Sequence, residues 1–256
     1  FFRHSEILGI SGIDVLILIF VGFLSAVAFC FYLMGMEMEE ASIVIPLFQL
    51  VPVFGYFLSY MILGESLSTA QILSSLLIMS GVVILAIDID EEKKIKLKTK
   101  ILVLIATSSF LFALHDTLFK KVAIVESFWG SVFWQYLSLT IFGLVILVTI
   151  KRFREDFKIM FKNTGRKIFS LNIMSELIYI LGNLTNNFAL LLAPVAIILV
   201  VSSYQPLFVF LGGIFLTIVF PHISTEKISR KHLTHKLISI IIIIIGSYFL
   251  YSTSNY

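Results

Sequence analysis

ASIVIPLFQLVPVFGYFLSYMIL, residues 41–63, carries no charge and is apolar almost throughout, except for Gln49 set between Pro46 and Pro52. A helix rising about 1.5 Å per residue crosses a bilayer core of about 30 Å in about 20 residues, so this run is long enough to span. Pro46 and Pro52 each remove a backbone donor, which frees the carbonyls of Ser42 and Phe48. Inside a membrane such groups persist only where neighbours or water satisfy them. The stretch therefore predicts a broken transmembrane helix, with Ser42, Pro46, Gln49, Tyr56 and Tyr60 along one face.

The rest of the chain agrees. Its 256 residues are 59% hydrophobic and 14% charged, against about 25% charged in soluble domains. Eight apolar spans follow one another: Val15–Gly35, Ala41–Leu63, Ala70–Ile87, Ile101–Val122, Phe128–Ile150, Ile168–Leu192, Val195–Phe220 and Leu237–Thr253. Because these runs are continuous rather than alternating, they predict an all-α integral membrane fold and not a barrel. Three connections are long, at 88–100, 151–167 and 221–236. They hold sixteen of the nineteen Lys and Arg residues, and if the spans alternate they share one side. The positive-inside rule makes that side cytoplasmic and puts both visible termini opposite. The basic run KKIKLKTK (93–100) is read as part of this signal, not as a nucleic-acid site.

An internal repeat is visible. A shift of 154 residues lays Pro52 on Pro206 and Ala41 on Val195. With eleven more residues in the later loop, SGVVILAI (80–87) falls on IGSYFLYS (245–252). Spans one to three thus match spans six to eight, while spans four and five have no earlier counterpart. The expected whole is a ten-helix, five-plus-five repeat with eight helices visible. Two spans would precede Phe1, which corresponds to roughly 60–80 residues. Residues 1–90 are then the last three helices of the first repeat, 91–100 a basic linker, and 101–253 the complete second repeat.

Polar residues inside spans mark candidate sites, since each costs insertion energy and must face protein or water. The sixth span holds Asn172, Glu176, Tyr179, Asn183, Asn186 and Asn187. At 100° per residue they occupy an arc of about 100°. They are read as one wall of a polar pathway, with Glu176 as proton or cation acceptor. The alternative is a seam of interhelical hydrogen bonds. To this pathway are added Gln49 and Tyr56, His115 as a proton carrier, Gln135, and Tyr204 with Gln205 beside Pro206. Pro46, Pro52 and Pro206 are expected to be structural breaks. Asp116 and Lys120, four apart, are expected to pair near the end of their span. Trp134 suits a headgroup anchor or a cavity wall. Ser68 and Gln71 form a capping box that opens the third span, and Glu65 is read as a structural residue at the water boundary.

With these residues in view, EEASIVIPLFQLVPVFGYFLSYMILGESLSTAQILSSLLIMSGVVILAIDID (39–90) resembles the latter part of a repeat of the EamA family, in the drug/metabolite transporter superfamily. The resemblance rests on Ala41–Ser42, Pro52, the Gly64–Glu65 turn and Gly81, with Pro194–Ala196, Pro206 and Gly246 as later counterparts. The second repeat lacks the Gly-Glu turn and has FPHIST (220–225) there. The resemblance implies two inverted repeats around a central cavity, alternating access, and export or import of small organic solutes. It also implies cytoplasmic termini, opposite to the charge count.

The function expected is secondary transport of a small metabolite, such as an amino acid, in the plasma membrane. The alternatives are a lipid or drug exporter of the same fold and a non-transporting scaffold. No phosphate-binding G-x-x-x-x-G-K-[ST] occurs, so a gradient is the expected drive. The single cysteine, Cys30, fits no disulfide or metal pattern. No catalytic residue, metal or other cofactor is expected. The partners expected are the bilayer, a small-molecule solute and a coupling proton or cation, without nucleic acid; a homodimer is left open.

Overall fold

The computed structural model describes residues 6–7, 9–38, 44, 47–86, 99–163, 166–219 and 230–254. Ala41, Ser42, Pro46, residues 88–98 of the first basic loop and residues 220–229 of the third lie outside the described residues. All elements described are helices: α1 (Gly12–Met38), α2 (Leu50–Leu63), α3 (Thr69–Ala86), α4 (Thr99–Ala123), α5 (Phe128–Thr149), α6 (Lys151–Asn163), α7 (Arg166–Leu192), α8 (Val195–Ser202), α9 (Gln205–Val219) and α10 (Arg230–Ser254). Three of them, α1, α4 and α5, are long and apolar enough to cross a membrane. Shorter apolar helices cover α2, much of α3 and the 237–250 part of α10.

Where the predicted spans are described they are helical, the seventh as two helices. Two local readings change. Residues 151–163, read as a connecting loop because of their charge, form α6. The seventh span is divided, since α8 ends at Ser202 and α9 begins at Gln205. The capping box is present: Ser68 N–H donates to Gln71 Oε1 at 2.9 Å, and Gln71 N–H to Ser68 Oγ at 3.2 Å. Just before it, Gly64 closes α2 with φ +69°. That left-handed conformation is where a side chain is disfavoured and glycine is not.

Two interruptions lie 154 residues apart. Gln49, immediately before α2, has φ −66° and ψ −2°. Ser203, immediately after α8, has φ −67° and ψ −6°. The two positions are 154 apart, and each precedes its proline by three residues. Pro52 is the third residue of α2 and Pro206 the second of α9. In a first turn the backbone N–H has no intrahelical acceptor, so proline costs little there.

The described chain gathers into two compact units, and α1 and α4 contribute to both. Unit one holds residues 1–27 and 114–193; unit two holds 28–113 and 194–256. In unit one, α1 and α5 meet where a Cβ on Gly22 would collide with the Gln135 carbonyl and Ser138. Ser138 Oγ donates to the Ile19 carbonyl at 2.6 Å across that contact. Phe119, Phe128 and Phe188 pack edge to face, tying α4, α5 and α7.

In unit two, α3 lies against α10 around Ile78, Val82, Ile243 and Leu250. A Cβ on Gly81 would come within 2.8 Å of Ile243 Cγ1 and 3.1 Å of the Ser239 carbonyl. A Cβ on Gly246 would come within 2.8 Å of Ile78 Cγ1 and 3.3 Å of the Ser74 carbonyl. The C-terminal glycine of each helix thus meets the N-terminal part of the other, so the two run antiparallel. Ser74, Ile78 and Gly81 become Ser239, Ile243 and Gly246 on adding 165. Equivalent residues exchange places across the contact, as across a local two-fold axis perpendicular to both helices.

Candidate functional site

The polar residues of α4, α5 and α7 form a chain inside unit one. His115 and Asp116 sit in the second half of α4 and are 3% and 8% exposed. Neighbouring residues on a helix point about 100° apart, yet the His115 ring reaches back, and its Nδ1 lies 2.8 Å from Asp116 Oδ1. On the other side, His115 Nε2 lies 2.9 Å from Gln135 Nε2 on α5. Gln135 Oε1 accepts a 3.0 Å bond from Asn187 Nδ2 on α7. Gln135 and Asn187 are both buried.

The amide directions fix the histidine. Since Gln135 uses its oxygen toward Asn187, it offers an N–H to His115 Nε2. That ring nitrogen must accept, so the proton of the neutral ring sits on Nδ1 and is donated to Asp116. At the far end, Asn187 Oδ1 is buried with no hydrogen-bond partner among the described residues. An unpartnered buried acceptor costs about 1–3 kcal/mol.

Two further contacts frame this chain. One turn before Asn187, Asn183 Oδ1 accepts from the Tyr136 hydroxyl at 3.2 Å. One turn after Asp116, Lys120 Nζ donates to the Ala193 carbonyl at 2.7 Å. Asp116 therefore binds His115, and Lys120 reaches the α7 C-terminus, where a cation complements the unpaired carbonyls. Trp134 Nε1 donates to the Ile7 carbonyl at 3.0 Å.

The predicted pathway residues divide. His115, Gln135 and Asn187 are joined directly, with Asn183 one turn away. Glu176 and Tyr179 lie earlier on α7, where the helix is exposed on every side from Phe169 to Tyr179. Gln49, Tyr56, Tyr204 and Gln205 belong to unit two. There Gln49 is buried and its Oε1 is unpartnered among the described residues. Ser247 Oγ donates to the Ile243 carbonyl at 2.6 Å and accepts from the Tyr204 hydroxyl. Tyr56 is half-buried and Gln205 exposed. Asp116 and Tyr136 were not among the predicted site residues. Asp116 had a signal, since it is a carboxylate inside an apolar span; Tyr136 had none.

Glu65 is structural, as its position suggested. Its Oε2 accepts the Val195 N–H at 2.8 Å and so caps the start of α8, a favourable place for a carboxylate. No group of three or more His, Cys, Asp or Glu residues suited to a metal occurs among the described residues.

Residues 1–87 match the sequence model of the EamA-like transporter family. None of the curated proteins matches the chain. The resemblance read from the Pro52 helix, the Gly64–Glu65 turn and Gly81 thus holds over the first 87 of 256 residues. Over those residues the chain is similar to EamA-like transporters, and its helices α1, α4 and α5 are long and apolar enough to cross a membrane.

Proposed function

We propose that this EamA-like membrane protein is a proton-coupled secondary transporter of a small organic solute, an amino acid or related metabolite, and that His115 and Asp116 carry the proton. The observation that carries this reading is the buried chain Asp116–His115–Gln135–Asn187 with its one unpartnered end. A purely structural seam would gain only about 0.6 kcal/mol per bond in a membrane, a poor return for burying an ionisable pair.

The chain has two polarities. In the one described, His115 Nε2 accepts from Gln135. When a proton binds Nε2, that nitrogen becomes a donor and the Gln135 amide must turn to present its oxygen. Gln135 then offers an N–H to Asn187, which must turn in its place, so that Asn187 Oδ1 gains its missing partner. A proton taken up at His115 is read at Asn187 as the exchange of an acceptor for a donor. Coupling requires such a difference in interaction between two states. Glu176, on the exposed part of the same α7 stripe, is the acceptor from which a proton enters.

Alternating access between inverted repeats is the movement we assign. It is supported by the helix interruptions 154 residues apart and by the exchanged contacts of Gly81 and Gly246. An antiparallel pair related by a perpendicular two-fold is what repeats of opposite membrane orientation produce.

The test is reconstitution in liposomes with a panel of amino acids and related metabolites under imposed pH gradients. At least one solute is expected to accumulate against its gradient and to be released when a protonophore is added. If no solute moves under a gradient of either direction, the reading fails.

A further inference from the structure

KRFREDFKIMFKN, residues 151–163, differs from every other described helix. It holds five basic and two acidic residues and three phenylalanines. Thirteen residues reach only about 20 Å, short of a bilayer core, and seven charges exclude a crossing. Its place is nonetheless fixed close to the membrane. A single non-helical residue, Ile150 with φ −97° and ψ 107°, separates it from the apolar α5. Arg154 Nη1 returns to the Val148 carbonyl of α5 at 3.2 Å. Its other end leads within three residues into α7.

The side chains are segregated. Phe153 and Phe157, one turn apart, share a face and are 50% and 45% exposed. Lys151, Arg152, Arg154, Glu155 and Lys158 surround the other side and are exposed. Lys151 and Glu155 form an i,i+4 pair at 3.6 Å, and the helix as a whole holds three more basic than acidic residues. The sequence keeps the period to its end, with Met160 and Phe161 one further turn on. Low net hydrophobicity, a strongly basic face and an aromatic face describe a helix that lies in the membrane interface.

We infer that α6 is an in-plane anchor that binds the headgroups of anionic phospholipids. Phe153 and Phe157 enter the boundary between headgroups and acyl chains. The lysine and arginine stems run along the same apolar layer, and their charges rise to the phosphates. Charge complementarity selects the occupant. The helix carries a net +3, and a leaflet rich in anionic lipid is the surface such a cluster fits. The tethers at both ends hold the apolar face at the depth where lipid, rather than water, is adjacent. This assignment does not depend on which solute is carried.

The experiment uses the full chain in lipid nanodiscs. Cys30→Ser removes the one native thiol, which is exposed, and Phe157→Cys receives an environment-sensitive fluorophore. Nanodiscs are made of phosphatidylcholine alone and with phosphatidylglycerol. Nitroxide-bearing lipid is expected to quench the label, and quenching should rise about two-fold with phosphatidylglycerol and fall back at high salt. The combined variant Lys151→Gln, Arg152→Gln, Arg154→Gln and Lys158→Gln should lose that lipid dependence while keeping its thermal stability. Quenching by iodide from water in both membranes overturns the proposal. So does a label that neither quencher reaches, since a protein surface then covers the face. Lipid quenching that ignores both phosphatidylglycerol and salt overturns the headgroup assignment.

Discussion

The α3–α10 contact and the α4–α5–α7 polar chain hold their helices together by opposite means. The first is built twice from one motif, since Ser74, Ile78 and Gly81 are repeated as Ser239, Ile243 and Gly246. Its backbones approach through glycine, and dispersion between closely packed atoms does the work. The second is built once. His115, Asp116 and Gln135 lie in spans with no earlier counterpart, and Asn187 falls on Leu33 at the 154-residue shift. Repetition therefore follows the part that any sequence of this fold needs. Uniqueness follows the part proposed to carry a proton.

The sharpest way to break this comparison is to neutralise the unique part. Asp116→Asn keeps the side-chain volume and removes the charge that holds His115 Nδ1–H. Gradient-driven accumulation in proteoliposomes is expected to fall by about ten-fold or more, within the usual range of coupling energies. Solute exchange without a gradient should be nearly unchanged. Accumulation at the wild-type level would return the polar chain to a packing role. Glu176→Gln, at the exposed part of the stripe, should slow accumulation by a smaller factor than Asp116→Asn.

The repeated part is tested by overfilling it. Gly81→Leu and Gly246→Leu each drive a side chain into the facing helix, where the nearest backbone atoms leave 3.1 Å for a Cβ. Each is expected to destabilise the protein by about 1–3 kcal/mol. Because the two sites exchange under the local two-fold, their losses in thermal-unfolding experiments should be similar. A large loss at one and none at the other would show that the contact only looks symmetric.

A smaller effect sharpens the polar side. Gln135→Leu and Asn187→Leu, alone and together, form a double-mutant cycle on the 3.0 Å bond between them. The expected coupling in stability is about 0.6 kcal/mol. If the bond belongs to a two-state chain, each single change should reduce gradient coupling as strongly as the double change. Additive losses in transport would mean that the residues act separately.

How much of this was legible follows from what periodicity measures. The 3.6-residue period placed Asn172 to Asn187 on one face of α7, and they share it. It carries no information on depth, so it could not tell Asn183 and Asn187, which meet α5, from Glu176, which stands exposed. The His115–Asp116 contact joins side chains that point apart on the helix, a pairing that sequence spacing argues against. The α6 helix was hidden by its own charge: counting Lys and Arg marked a cytoplasmic loop, while the spacing of Phe153 and Phe157 was the overlooked signal. The capping box of Ser68 and Gln71 was legible because both its partners are local.

Glu65 shows the other limit, because its partner is 130 residues away. The Gly64–Glu65 turn closes α2, and the same carboxylate takes the Val195 N–H, so the turn after α2 holds the first turn of α8. The clasp joins the turn after α2 to the start of α8. Glu65→Gln keeps a hydrogen-bond acceptor and removes only the charge at the helix start, so the expected stability loss is about 0.3–1 kcal/mol. Glu65→Ala removes the cap as well and should cost about 1–2 kcal/mol. Thermal unfolding of both variants separates charge from cap. If the two lose equally, the charge alone carries the contact. If neither loses anything, α8 is held by its apolar face against α2, through Leu199 over Gly55, and the clasp adds nothing to the architecture.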